Sequence, residues 1–93
     1  MPGSDLYQIE YLESVIKEDI SKIPNAAKDI IKKAIEDHLT IDPIGFGKPL
    51  RYSLKGHRRL RVSTYRIIYR IVSSTKIVLI IAIKHRKDIY KNS

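Results

Sequence analysis

In the second half of the chain, arginine is the residue type best suited to binding a substrate or stabilising charge in a reaction. Arg59, Arg61, Arg66 and Arg86 alternate with or follow apolar residues in segments that have the pattern of β-strands. Guanidinium groups hold phosphate oxygens through paired hydrogen bonds, and several together can stabilise the charge of a pentacovalent phosphate. We expect these four to converge on one open face, although each arginine alone would be an ordinary solvated strand residue.

RNA is a phosphate ester suited to such a site, because its own 2′-hydroxyl can serve as the nucleophile. The enzyme then needs a base, an acid and positive charge, but no metal. Asp88 is the only acidic residue after position 47, so hydrolysis by paired carboxylates or by a carboxylate-held metal is disfavoured. The chain has no cysteine, which excludes a disulfide and a thiolate metal site. We expect no metal and no cofactor.

The three histidines are not spaced like metal ligands. His85 lies between Lys84 and Arg86 at the end of an apolar strand, and these cations disfavour a further positive charge on its ring. A neutral imidazole can accept a proton, so His85 is a candidate general base, while a solvated strand-end histidine explains the pattern equally well. His38 falls on the apolar stripe of a helix and is expected at the edge of the core.

Three strands would position these side chains. Alternation predicts strands at about 57–63 and 65–72, and a β-branched apolar run predicts a strand covered on both faces at 77–84. Arg59 and Arg61 should face away from Leu60 and Val62, because successive strand residues face opposite sides. The short turns make the strands antiparallel, which brings position 66 close to positions 84–86.

A short strand at 7–11 and two amphipathic helices precede this sheet. Pro24 should end the first helix, Asn25 should cap the second, and Asp42-Pro43 should end it. The predicted fold is α+β, with the N-terminal strand and an antiparallel helical hairpin packed on one face of an antiparallel sheet. The other face is left open. The predicted core contains Ile20, Ile31, Ile35, Leu60, Ile67, Tyr69, Leu79 and Ile81.

Charge is divided unevenly along a chain whose formal net charge is +8. Residues 1–47 carry five Lys and Arg against nine Asp and Glu, whereas residues 48–93 carry thirteen against one. The basic half indicates an anionic partner, with nucleic acid first, an acidic protein second and a membrane surface third. We expect a single domain over 1–93, with residues 1–6 flexible. The absence of cysteine, of a signal peptide and of a membrane-spanning apolar run suggests a cytoplasmic location.

The order of these motifs resembles the RelE/ParE superfamily of bacterial type II toxins. The resemblance rests on YQIEYLESVIKEDISKIP near the start, LKG at 54–56, RLRVSTYRIIYRI at 59–71 and KHRKDIY at 84–90. It implies a compact α+β toxin that assembles with a cognate, RelB-like antitoxin. In the RelE branch it implies a ribosome-dependent messenger RNA endonuclease that needs no metal, and in the ParE branch an inhibitor of DNA gyrase.

The resemblance also implies roles for individual residues. Arg66 would stabilise the phosphate in the transition state, Arg86 would supply charge or a proton, and Tyr90 would stack on the nucleotide. Arg59 and Arg61 stand where the best-known RelE proteins carry lysines, and arginine is a poor base because it keeps its proton. The base would then be His85. RNA binding is assigned to Arg59, Arg61, Lys55 and Arg70.

The presence of His85, Arg86 and Tyr90 favours the RelE branch. A gyrase inhibitor of the ParE branch and a toxin fold without activity remain alternatives.

Overall fold

The computed structural model describes residues 6–50 and 56–87 of the chain. Five strands form one sheet: β1 (Gln8–Tyr11), β2 (Lys48–Pro49), β3 (Arg58–Val62), β4 (Tyr65–Val72) and β5 (Ile77–His85). Their order across the sheet is β1-β5-β4-β3-β2. The pairs among β3, β4 and β5 are antiparallel, as predicted. β2, which was expected to be part of a loop, pairs antiparallel with β3, and β1 joins β5 in parallel.

Two helical segments cover one face of the sheet. The first, α1, is a π-helical stretch over Val15–Asp19 followed by a 3₁₀ turn over Ile20–Lys22. The second, α2, is an α-helix over Asn25–Ala34 that continues as a π-helical stretch over Ile35–Leu39. The predicted α+β fold is confirmed. Within the described residues, no helix is long and apolar enough to cross a membrane.

The predicted caps were wrong in detail. Asn25 is the first residue of α2 rather than its cap; Pro24 precedes it, and no side chain caps this end. Asp42 does not end α2, which stops at Leu39, but begins a short helix α3 (Pro43–Phe46). Its Oδ1 accepts the N–H of Gly45 at 2.9 Å. A proline in the first turn suits such a start, because its missing N–H has no helical partner there.

The core lies between the helices and the sheet. Six of the eight predicted residues belong to it or pack against it, but Leu79 and Ile81 are only partly buried and are not among its members. The buried positions of β5 are Val78, Ile80 and Ile83. Within the described residues, the buried core consists of Val15, Ile23, Ile31, Ile35, Leu39, Leu60, Val62, Ile67, Tyr69, Val78, Ile80 and Ile83.

A β-bulge explains why the assignment for β5 failed. Tyr69 pairs with Ile80, but the preceding residue, Ile68, pairs with Ala82, so Ile81 has no partner on β4. One extra residue reverses which side chains face inward, because side chains alternate along a strand. Before the bulge the even-numbered residues Val78 and Ile80 face inward, and after it the odd-numbered residue Ile83 does. The sequence could not reveal this, since the run from 77 to 83 is apolar throughout.

Candidate phosphate-binding site

An open cavity of about 320 Å³ lies where β3, β4 and β5 meet at one end of the sheet. Its described lining consists of Arg61, Ser63, Thr64, Tyr65, Arg66 and Arg86. Three of the four arginines expected to converge are thus brought together. The cavity is formed by the outer face and the adjoining turn, on the side away from the helices.

Strand pairing places these arginines. Arg61 on β3 lies directly opposite Arg66 on β4, and the turn at Ser63-Thr64 joins the two strands. Ser63 has a φ of 54°, in the left-handed region that a tight hairpin turn requires. The backbone N–H of Arg86 donates to the carbonyl oxygen of Thr64 at 2.7 Å, which fixes the end of β5 against this turn.

The electrostatics of this cavity favour an anion. Like charges that lie directly opposite each other on paired strands destabilise a sheet. Arg61 and Arg66 are such a pair, and none of the cavity's described lining residues is acidic. A phosphate between them would convert this repulsion into two favourable charge-assisted contacts.

His85 is not on this face. It pairs in register with Tyr65, while Lys84 pairs with Arg66, so His85 extends toward the helical side. Its ring meets the Tyr65 ring edge-on at 5.1 Å between centroids, and its Nδ1 accepts the N–H of Lys87 at 3.1 Å. A neutral ring that accepts at Nδ1 carries its proton on Nε2. In this arrangement Nε2–H is the hydrogen-bond donor of the ring.

A second cavity, of about 460 Å³, contains His85 on the helical side of the strand end. Tyr65 lines both cavities, so the two adjoin at this residue. The remaining described lining residues are Asp19, Lys22, Ile23, Pro24, Ile83, Lys84 and Lys87.

A buried aspartate anchors this strand end and was not identified from the sequence. Asp19 is 7% exposed, and its Oδ2 accepts the N–H of Ile83 at 2.9 Å. Its Oδ1 accepts from Lys84 Nζ at 2.8 Å. β1 ends opposite Ile80, so Asp19 provides the acceptor that a continuing strand would have supplied. The signal available in the sequence was an acidic residue between the apolar positions of the first helix.

The other predicted residues are distributed around the site. Arg59 lies two residues before Arg61 on the same face, beside Lys48 of β2. Arg70 shares this face but lies opposite Leu79, and four residues of strand put it about 13 Å from Arg66. Lys55 and Tyr90 lie outside the described residues.

Tyr69 is a structural residue on the inner face. Its hydroxyl donates to the carbonyl oxygen of Pro43. Burial raises the pKa of this hydroxyl above its usual value, an effect that a hydrogen bond with Arg58 partly opposes. A buried tyrosine that holds its proton tightly and uses it to fix α3 is not a candidate for proton transfer at the arginine cavity.

Comparisons with known proteins agree with this fold. The family model described as the ParE toxin of the type II toxin-antitoxin system parDE matches residues 9–90. The Mycobacterium tuberculosis protein Toxin RelG is 35% identical over 75 residues, which cover 81% of this chain and 86% of that protein.

Solved structures show the same architecture. The RelBE2 toxin-antitoxin complex of M. tuberculosis contains a chain that matches with a TM-score of 0.82 and 30% identity, over 87% of this chain and 99% of that one. The isolated E. coli RelE toxin matches with a TM-score of 0.70 at 19% identity, over 92% and 93%, which is a likeness of fold. The chain described here therefore belongs to the RelE/ParE superfamily of toxins from type II toxin-antitoxin systems.

Proposed function

We propose that this toxin is a ribosome-dependent endonuclease of messenger RNA that works without a metal and inhibits translation. The observation that carries the proposal is the cavity lined by Arg61, Arg66 and Arg86. Three permanent positive charges around one opening suit a phosphodiester that gains charge in its transition state.

In the proposed reaction the 2′-oxygen of one nucleotide attacks its own 3′-phosphorus. A new O2′–P bond forms and the P–O5′ bond breaks, which leaves a 2′,3′-cyclic phosphate and a free 5′-hydroxyl. Arg66 and Arg86 hold the non-bridging oxygens, and Arg61 and Arg59 hold the neighbouring backbone. A neutral His85 ring takes the proton of the 2′-hydroxyl, and the imidazolium so formed gives a proton to the departing 5′-oxygen.

His85 is the proposed proton-transfer group, because its cavity adjoins the arginine cavity at Tyr65. With the Lys87 N–H bonded to Nδ1, a neutral ring carries its proton on Nε2, and donation to the departing oxygen follows once the ring has taken the 2′-hydroxyl proton and become imidazolium. To act as the base, the ring must give up this hydrogen bond and accept at one nitrogen. Tyr90 is proposed to stack on the nucleotide.

The proposed partner is a cognate antitoxin of the RelB type, with which the toxin forms a hetero-oligomer. The M. tuberculosis relative is part of a toxin-antitoxin complex, which supports this assignment. Ribosomes and messenger RNA are the proposed targets, in the cytoplasm.

A second candidate function is inhibition of DNA gyrase, because the matching family model describes ParE toxins. One experiment separates the two. A defined message is translated with and without the protein, its 5′ ends are mapped by primer extension, and gyrase supercoiling is measured in parallel. Cuts confined to ribosome-engaged codons support the endonuclease. Uncut message with blocked supercoiling supports the gyrase inhibitor. If the message stays uncut and supercoiling proceeds normally, the protein is an inactive toxin fold.

A further inference from the structure

Phe46, the last residue of α3, is an exposed aromatic residue beside the basic face. It retains 48% of its accessible surface. It lines an open cavity of about 240 Å³ whose other walls are Lys48, Arg59, Leu60 and Arg61. An aromatic ring and three cations around one opening are the combination that binds a nucleotide, with the ring under the base and the cations on the phosphates.

The short helix that carries Phe46 is fixed to the sheet on its inner side. A guanidinium nitrogen of Arg58 donates to the carbonyl oxygens of Ile44, at 2.6 Å, and of Gly47, at 3.0 Å. The Tyr69 hydroxyl holds the carbonyl of Pro43. A Cβ on Gly47 would lie 1.8 Å from the Tyr69 hydroxyl oxygen, so the chain after Phe46 approaches the sheet as closely as glycine permits.

The ring itself is supported from one side. His38 at the end of α2 stacks on Phe46 with 4.3 Å between ring centroids and 28° between ring planes. A ring that is already held in place loses little conformational entropy when a ligand stacks on it. The part of the Phe46 ring that stays exposed can stack on a second planar group, such as a nucleobase.

The Phe46 cavity and the arginine cavity share one wall. Arg61 lines both. Arg59 and Arg61 are two positions apart on β3, or roughly 6.6 Å, which suits successive phosphates of an extended single strand. Lys48 lies directly opposite Arg59. A strand whose scissile phosphate is held by Arg66 and Arg86, with Arg61 on the next phosphate, is thereby led toward Phe46.

We infer that Phe46, Lys48 and Arg59 form a binding subsite for a single-stranded RNA nucleotide next to the cleaved bond, with its base stacked on the Phe46 ring. The inference rests on the proposed function for the location of the cleaved bond, but the stacking is an independent property. Stacking on a ring tolerates every base, so the subsite adds affinity and register without strong sequence preference.

Fluorescence can test the stacking directly, because the chain contains no tryptophan. Phe46→Trp introduces a single indole at the subsite. The probe is a short RNA with a 2′-O-methyl group on every nucleotide, which prevents cleavage, and the control RNA has the same phosphates with abasic nucleotides. We expect the intact RNA to quench the indole and the abasic RNA to leave it unchanged at low salt.

Ile30→Trp supplies the matched control on the protein. Ile30 is 57% exposed on α2 and lines none of the cavities described here. Its indole should not respond to either RNA. Equal quenching at both positions, quenching by the abasic RNA, or an indole at position 46 that is unchanged while RNA binds would overturn the inference.

Affinity provides a second measurement. Phe46→Leu keeps an apolar side chain on α3 but removes the aromatic face, and thermal melts of Phe46→Ala and Phe46→Leu check folding. Both variants should bind the intact RNA between about 5-fold and 150-fold more weakly than the parent, and should bind the abasic RNA equally well. A parent that binds no RNA at low salt, or a Phe46→Leu variant that binds as the parent does, contradicts the subsite.

Two further outcomes keep the subsite separate from the proposed function. Base-dependent quenching by a parent that cuts no message supports the subsite and removes the endonuclease. Message cutting that is unchanged in Phe46→Leu, together with unchanged RNA affinity, leaves the endonuclease and removes the subsite. Loss of antitoxin binding alone in Phe46→Leu assigns the ring to a protein interface and overturns the inference.

Discussion

At the scale of single residues, position on the sheet separates arginines that are alike in the sequence. Arg66 and Arg70 lie on the same face of β4, yet only Arg66 lines the cavity that contains Arg61 and Arg86. This difference provides a matched pair of substitutions, because each removes one positive charge from the same strand.

We predict that Arg66→Ala lowers the single-turnover cleavage rate on programmed ribosomes by about 10²–10³-fold, the usual cost of losing one transition-state charge contact. Arg70→Ala should retain a rate close to that of the parent, because its side chain lies about 13 Å along the strand. Melting temperatures of both variants should stay near the parent value. Equal losses at the two positions would indicate a general charge effect.

His85→Ala should slow cleavage more than it weakens ribosome binding, because the proposed role of His85 is proton transfer. The measurement compares the single-turnover rate at saturating ribosomes with the ribosome concentration that gives half of that rate. Lys87→Ala is the control, since the His85 hydrogen bond uses its backbone N–H and survives the change. A parent-like rate for His85→Ala removes it from the mechanism.

At the scale of elements, the end of β5 decides what the site contains. It carries Lys84, His85 and Arg86 past the point where β1 stops, and the bulge at Ile81 determines which of its residues face the core. Two predictions follow from the anchoring and packing of this strand.

Ile80→Ala should reduce the free energy of unfolding by about 2–5 kcal/mol, because Ile80 is fully buried beside Tyr69. Leu79→Ala should cost about 1–2 kcal/mol, since Leu79 is only partly buried, on the opposite face. Urea melts of the two variants measure the difference. The reverse order would place the bulge elsewhere on β5.

Asp19→Ala should destabilise the fold by about 1–3 kcal/mol, because it leaves the buried N–H of Ile83 without its acceptor. Lys84→Met keeps that acceptor but should also destabilise the fold, because it leaves the buried carboxylate of Asp19 without its counter-charge. Denaturant melts give both values, and cleavage assays show whether a loosened Arg86 also lowers the rate. Equal melts for the parent and Asp19→Ala would contradict the anchoring role.

At the scale of the whole molecule, the fold separates charge. The half of the chain up to residue 47 supplies the helices and most of the acidic residues, while the half from residue 48 supplies β2 to β5 and a formal charge of +12. An acidic antitoxin segment that lies over the sheet face or around the helices would be attracted over a distance set by salt.

Association with the antitoxin should therefore be fast at low salt and should slow steeply as salt is added. Stopped-flow mixing measures the rate for the parent, for Arg59→Ala with Arg61→Ala on the sheet, and for Lys28→Ala with Lys32→Ala on α2. The double variant whose association rate depends least on salt identifies the face that the antitoxin approaches. A rate that does not change with salt would contradict electrostatic steering.

The sequence by itself determined the features that depend on neighbours along the chain. Alternation assigned β3 and β4, placed Leu60 and Val62 inward with Arg59 and Arg61 outward, and located the helices and the acidic and basic halves. These predictions succeeded because side-chain direction along a strand and apolar spacing along a helix are local properties with fixed periods.

Only the tertiary structure decided which residues share a cavity. The uniformly apolar run from 77 to 83 gave no sign of the bulge at Ile81. The pairing of β5 with β4 directs His85 to the helical side, and a backbone hydrogen bond holds Arg86 against Thr64. Phe46 and Arg61 line the same cavity because α3 is held against the sheet by Arg58 and Tyr69, which are distant from it in sequence. Register between strands and contacts across the core are set by long-range packing, which no local period encodes.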